Sequence, residues 1–207
     1  DESPYPNAVD VTVDNDTAVL TAPTNVVATA TSSSSIGVTW GAVTGASSYN
    51  VYRSANNITY SLVGSPSGPS FTDTTSLMPD TAYVYKVRAF AGTESPDSNR
   101  DAATTAMITT DPTITTDVTT VKAAHWTELL PVVNSFRTLA GPGAPSFTVP
   151  PLGGNPILSQ TVLDLRGGLD QARALLGMSA AGYADPSLTV GTEGKAQHLI
   201  DLRTFGK

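Results

Sequence analysis

The chain predicts a multidomain β + α protein, a β-sandwich followed by a small helical-repeat domain. Residues 21–106 alternate apolar and polar side chains with period two, cut at short intervals by Gly, Pro, Ser and Asn, as short antiparallel strands require. After residue 120 the apolar period becomes that of a helix. A ten-residue block, Val121–Leu130 (VKAAHWTELL), returns as Gly194–Arg203 (GKAQHLIDLR), with a weaker copy at Ile157–Arg166 (ILSQTVLDLR) between them. His125, Thr161 and His198 hold the same slot, 36 and 37 residues apart, a period that marks repeated units each too small to bury its own apolar face.

Taken in order, residues 1–20 form an acidic arm with five acids and no Lys or Arg, in which Val9, Val11 and Val13 make a short apolar stripe. In residues 21–106, Ile36, Val38 and Trp40 alternate with Gly37 and Thr39, and Tyr49 and Val51 flank Asn50. Tyr83, Tyr85, Val87 and Ala89 interleave with Val84, Lys86, Arg88 and Phe90. Residues 107–120 are Thr-rich and read as an extended linker.

From 121 to 207 the repeat units fall near 121–156, 157–193 and a partial 194–207. His125, Leu129, Val132, Val133, Phe136 and Leu139 form one helical stripe, and Val162, Leu165, Leu169, Ala172 and Leu176 a second. The connecting segments also align: Phe147 with Tyr183, Leu152 with Leu188, and DPTIT (Asp111–Thr115) with DPSLT (Asp185–Thr189) ahead of the first and third copies. Pro131 and Gly167 share a slot and weaken a helix interior, so a kink or break is expected at both.

At these residues the first half resembles a fibronectin type III domain. Pro23, Val26 and Ala28 match its first strand, Trp40 its core tryptophan and YNVYRS (Tyr49–Ser54) its third strand. LMPDTAY (Leu77–Tyr83) matches the L-x-P-x-T-x-Y tyrosine corner, which places Leu77, Pro79 and Tyr83 in structural roles and directs the Tyr83 hydroxyl at nearby backbone. Asp73 is read as a structural turn residue. The second half resembles a V-K-A-x-H-x-x-E-L-R repeat found after such domains in secreted bacterial proteins, departing at Leu130 and Thr161. The resemblance implies an extracellular or cell-surface setting and no particular reaction.

Composition narrows the function classes. The net charge of −7 argues against a nucleic-acid partner, and no apolar run approaches the length of a membrane span. Cysteine is absent, which removes thiol catalysis and disulfides. The chain opens at Asp1 without a basic n-region or apolar h-region, and removal of a signal peptide is the expectation.

The chemical readings are weak. His125 with Glu128, and His198 with Asp201, stand three apart on a helix, feasible as a metal half-site. The middle copy keeps Asp164 but has Thr161 for the histidine, so His125 and His198 are assigned structural roles, capping or bridging to the neighbouring unit. Glu128, Asp164 and Asp201 share one repeat slot and would form a ladder rather than face each other across a cleft. No G-x-S-x-G elbow or phosphate loop is present, and Asp14-Asn15-Asp16 lacks the rest of a calcium loop. Asn15 and Asn57 begin glycosylation sequons.

The expectation is therefore a non-enzymatic extracellular structural protein with no cofactor and no metal, whose partners are other copies of itself and surface glycans or proteins. The third repeat ends without a return segment or cap. Leu199, Leu202 and Phe205 would then be left partly uncovered, and with Val9, Val11 and Val13 they would form head-to-tail subunit contacts in a surface filament. The alternative is an accessory glycan- or protein-binding module of a larger secreted hydrolase or adhesin.

Overall fold

The computed structural model describes residues 19–116, 121–141, 159–191 and 194–207. The arm residues Val9, Val11 and Val13, the Asp14-Asn15-Asp16 turn, and Phe147 and Leu152 lie outside the described residues.

The first half builds two antiparallel sheets. β1 (Val27–Ser32), β2 (Ser35–Thr39) and β5 (Ser70–Asp73) form one, in the order β1-β2-β5. The other sets β4 (Ser61–Gly64) and β3 (Ser48–Ser54) beside β6 (Ala82–Ala91), whose far edge pairs with β7 (Thr93–Glu94) at one end and β8 (Asp101–Thr104) at the other. Period-two alternation decides which side chains face the partner sheet. Ile36, Val38, Tyr49, Val51, Tyr83, Tyr85, Val87 and Ala89 are buried together between the sheets, with Trp40 edge-on to Tyr49 at 5.3 Å.

Two polar devices fix the sandwich. The Met78 N–H donates to the Tyr83 hydroxyl at 2.9 Å, with Leu77 buried beside it and Pro79 exposed. Asp73, fully buried, accepts from Arg53 Nη1 at 2.7 Å, the Tyr85 hydroxyl at 2.9 Å and the Thr75 N–H at 2.9 Å. A buried carboxylate is tolerable because three donors, one of them a charged guanidinium, meet its two oxygens.

The opposite face of β6 explains how the second half attaches. Ala82 and Val84 on β6 and Ala102 on β8 point away from the sandwich core, yet all three are buried. They share a second apolar core with the helices α1 (Ala123–Ala140), α2 (Ser159–Leu175) and α3 (Ala196–Phe205). Small residues on the sheet let α1 lie close against β6 and β8. Across the same junction Ser135 Oγ donates to Thr104 Oγ1 at 2.8 Å and the Thr104 N–H to the Lys207 carbonyl at 3.3 Å. Asn57 Nδ2 donates at 3.1 Å to the Leu175 carbonyl, one of the groups a helix end leaves unpaired. That amide, the acceptor atom of the second sequon, is thus engaged in the junction.

A helix break at Pro131 or Gly167 and an open stack are both overturned. α1 runs uninterrupted through Pro131 and α2 through Gly167. A proline inside a helix costs about 3 kcal/mol, but the turn around Pro131 buries Leu129, Val132, Val133 and Phe136, each contributing about 1.5–3 kcal/mol. The repeat is also not an open stack. Each of the three helices contacts the other two, so α3 closes the set, and Leu199 and Leu202 are 0% exposed within the chain's own core. They are not free for a subunit contact. Phe205, partly buried, packs edge-on to Tyr183 at 5.6 Å.

Candidate functional site: two histidine clasps

The repeated block places its polar residues at the N-termini of α1 and α3, where the first N–H groups of a helix lack partners. At α1 the His125 N–H donates to the Lys122 carbonyl and the Lys122 N–H donates back to His125 Nδ1, both at 3.1 Å. At α3 the same reciprocal pair joins His198 and Lys195, both at 3.0 Å. Accepting an N–H requires a lone pair on Nδ1, so the neutral rings carry their hydrogen on Nε2.

Nε2 turns to the Asp-Pro segment that precedes each of these copies. His125 Nε2 lies 3.0 Å from Asp111 Oδ2, and His198 Nε2 lies 3.6 Å from Asp185 Oδ2. The acid three residues after each histidine holds the same segment one residue earlier. Glu128 Oε1 accepts from the Thr110 N–H at 2.9 Å and from the Thr109 and Thr110 hydroxyls at 2.9 and 2.8 Å, while Asp201 Oδ2 accepts from the Ala184 N–H at 2.9 Å.

The arginine that ends the block reaches the neighbouring unit. Arg166 of α2 donates to the Asp185 carbonyl at 2.6 Å and to Asp201 Oδ2 at 3.2 Å. Arg203 of α3 donates to the Asp111 and Thr110 carbonyls at 2.7 and 2.9 Å. Each clasp therefore joins the histidine and acid of one helix to the Asp-Pro segment that precedes that helix, and is closed by an arginine of another helix, Arg166 of α2 for α3 and Arg203 of α3 for α1.

The middle copy departs in all three parts at once. Thr161 replaces the histidine, no Asp-Pro stands 13 or 14 residues before it, and Leu130 occupies the arginine slot of the unit that would have closed it. Without an Asp-Pro pair at that spacing there is no matching carboxylate for a histidine to meet. The acids form no ladder: Glu128 and Asp201 each hold a loop, and Asp164 accepts only from Gln160 at 2.7 Å among the described contacts.

The electrostatics follow the same contacts. Lys122 Nζ at 2.8 Å, and then His125, hold the Asp111 carboxyl below its usual range. Burial works against Glu128, but hydrogen bonds from Thr110 and Thr109 still bring its carboxyl down. Burial, aided by the charge of Arg166, pushes His198 below the ordinary histidine value. Asp111, Asp185, Arg166 and Arg203 were absent from the sequence-derived site. The aligned DPTIT and DPSLT segments and the arginine ending two of the three copies were the signals that could have found them.

Away from the clasps, the outer face of the five-stranded sheet beyond its contact with the helices carries a chain of half-buried cations and rings. Arg88 lies 5.3 Å from the Tyr52 centroid, Lys86 4.6 Å from Tyr60 and Arg100 5.5 Å from Tyr60. Its charges are paired locally, with Lys86 and Arg88 on Asp97 at 2.7 and 2.6 Å and Arg88 on Glu94 at 2.7 Å. Among the described residues no group of three His, Asp or Glu side chains is arranged to hold a metal ion.

The two-sheet sandwich with a tyrosine corner defines an immunoglobulin-like β-sandwich, followed here by three helices. Residues 21–101 match the fibronectin type III domain, and this part of the chain is a domain of that family. A poly(3-hydroxybutyrate) depolymerase of Ralstonia pickettii is 37% identical over 107 residues, 50% of this chain and 21% of that protein. A poly(3-hydroxybutyrate) depolymerase of Delftia acidovorans is 43% identical over 74 residues, 36% of this chain and 14% of that protein. The chain thus spans a small part of either relative. An Fn3-like protein from Clostridium thermocellum is similar in structure, 31% identical, covering 41% of this chain and 91% of that one with a TM-score of 0.38.

Proposed function

We propose that the chain is a non-catalytic accessory module of an extracellular, polymer-degrading hydrolase, with a polyester of the poly(3-hydroxybutyrate) kind as the polymer. The observation that carries this reading is the use made of both histidines in the sequence. Each is buried, with Nδ1 taken by a helix N-terminus and Nε2 turned to an aspartate of the preceding loop, so neither is positioned as a general base. The similarity to segments of two depolymerases supplies the polymer class. Joining helices and sandwich through one apolar core suits a module that holds a fixed distance and orientation. The filament reading loses its physical basis at the C-terminal end, where Leu199 and Leu202 are covered from within.

Incubation of the purified protein with poly(3-hydroxybutyrate) granules tests this. Co-sedimentation with the granules, without clearing of the suspension or release of soluble acid, is the expected result. Clearing would overturn the non-catalytic assignment, and failure to co-sediment would overturn the polymer-directed one.

A further inference from the structure

We propose that α3 is an acid-released latch: protonation of the buried His198 ring undoes the clasp at its N-terminus and lets the segment from residue 194 onward leave the helical trio. This stands independently of the accessory-module reading.

His198 Nδ1 accepts the Lys195 N–H at 3.0 Å, and the ring is 1% exposed. An imidazolium carries a hydrogen on both nitrogens and has no acceptor, so protonation sets two donors against each other where no water reaches. The carboxylates of Asp185 and Asp201 favour a charged ring, but burial and the charge of Arg166 outweigh them. Arg166 comes from α2, Asp185 from the preceding loop and Asp201 from the middle of α3, while Lys195, just before α3, meets the ring through its backbone N–H. Asp201 is already committed to Arg166 and to the Ala184 N–H. The Asp185 carboxylate, at 3.6 Å, is beyond hydrogen-bond reach.

The first clasp is the internal comparison. There the carboxylate of Asp111 sits 3.0 Å from His125 Nε2 and forms a direct hydrogen bond. The two clasps share a design and differ at this contact, which places the release at α3.

What α3 would let go is also defined. A ten-residue helix is too short to persist alone. Its anchors are Leu199 and Leu202, Arg203 on the Asp111 and Thr110 carbonyls, the Phe205 carbonyl on Arg173 Nη1 at 2.9 Å, and the Lys207 carbonyl on the Thr104 N–H. Gly206 lies so close to Val132 that an added Cβ would come within 2.6 Å of its Cγ1, and 3.9 Å from Leu169 Cδ2. Departure of α3 therefore bares apolar surface on α1 and α2, and withdraws the arginine from the first clasp.

The test is amide hydrogen exchange on the full chain between about pH 7.5 and about pH 5, a range that spans ordinary histidine titration, corrected for intrinsic exchange rates. Its comparison variant is His198→Gln, which keeps an acceptor for the Lys195 N–H, as glutamine does in a capping box, but does not titrate. In the parent, amides of residues 194–207 lose about tenfold or more protection relative to those of β6, the effect of one unit of pKa difference; in H198Q they do not. Equal behaviour of the two proteins, whether both keep or both lose protection, overturns the proposal. If H198Q is not folded at neutral pH, ring nitrogen shifts of the parent replace it. His198 protonation and loss of α3 protection must share a midpoint, and separate midpoints overturn the proposal.

Discussion

Replacing Arg166 with leucine, the residue that stands in the same slot as Leu130, is expected to destabilise the helical half severely. The guanidinium donates to the Asp185 carbonyl at 2.6 Å and to Asp201 at 3.2 Å, and lies 4.3 Å from the Tyr183 ring centroid. Its side chain is 6% exposed and that of Asp201 7%, so solvent does little to screen the pair. Two hydrogen bonds from a charged donor are worth about 1.5–3 kcal/mol each. Leaving one partner of a buried pair uncompensated costs about 3–5 kcal/mol. The two routes agree on a loss of about 3–5 kcal/mol, with Asp201 left charged beside the Ala184 N–H as its remaining backbone donor. Urea denaturation followed by far-ultraviolet circular dichroism measures it. The double variant R166L/D201N recovers about 1–2 kcal/mol, because a neutral amide oxygen still accepts from Ala184 without an unpaired charge. A loss below about 1 kcal/mol in R166L would refute the clasp as an energetic unit.

Other outcomes follow from the same contacts. Tyr83→Phe removes the acceptor of the part-buried Met78 N–H and lowers the stability of the sandwich by about 0.5–1.5 kcal/mol in denaturant titration. Ala102→Leu overfills the contact between β8 and the helices, costing about 1–3 kcal/mol; an unchanged midpoint would mean that the helices do not cover that strand. His198 titrates below its unfolded value of about 6.5. Its contribution is therefore complete above that pH and is lost as pH falls toward the folded value, where the unfolded chain binds the extra proton. Denaturation midpoints measured across that range should decline in the parent and stay flatter in H198Q.

Much of the sandwich was legible because a two-residue period records directly which side chains face the core. The outward face of β6 carried a further signal that alternation alone does not interpret. Ala82 and Val84 are apolar where solvent would favour polar residues, and the reason, a layer of helices, lies some forty residues further along the chain. In the second half Thr161, standing where the other copies have histidine, signalled that the slot serves packing and loop contacts, and His125 and His198 make such contacts in the structure. What could not be read was closure. Whether three helices stack in a line or meet in a ring depends on which unit's arginine reaches which loop, and the Arg203–Asp111 contact spans 92 residues. Pro131 misled because a local rule was weighed without the apolar side chains that hold the helix on both sides of it.

Backbone exchange at Lys122 and Lys195 tests most directly whether His125 and His198 close the helix N-termini. Helix N-cap amides ordinarily exchange near the solvent rate because nothing in the helix accepts from them. Here each donates to an imidazole nitrogen that is 0% or 1% exposed. At neutral pH both amides should be protected, and H125A and H198A should each release one of them. Exchange at the unprotected rate in the parent protein would contradict the clasps and the closed arrangement built on them.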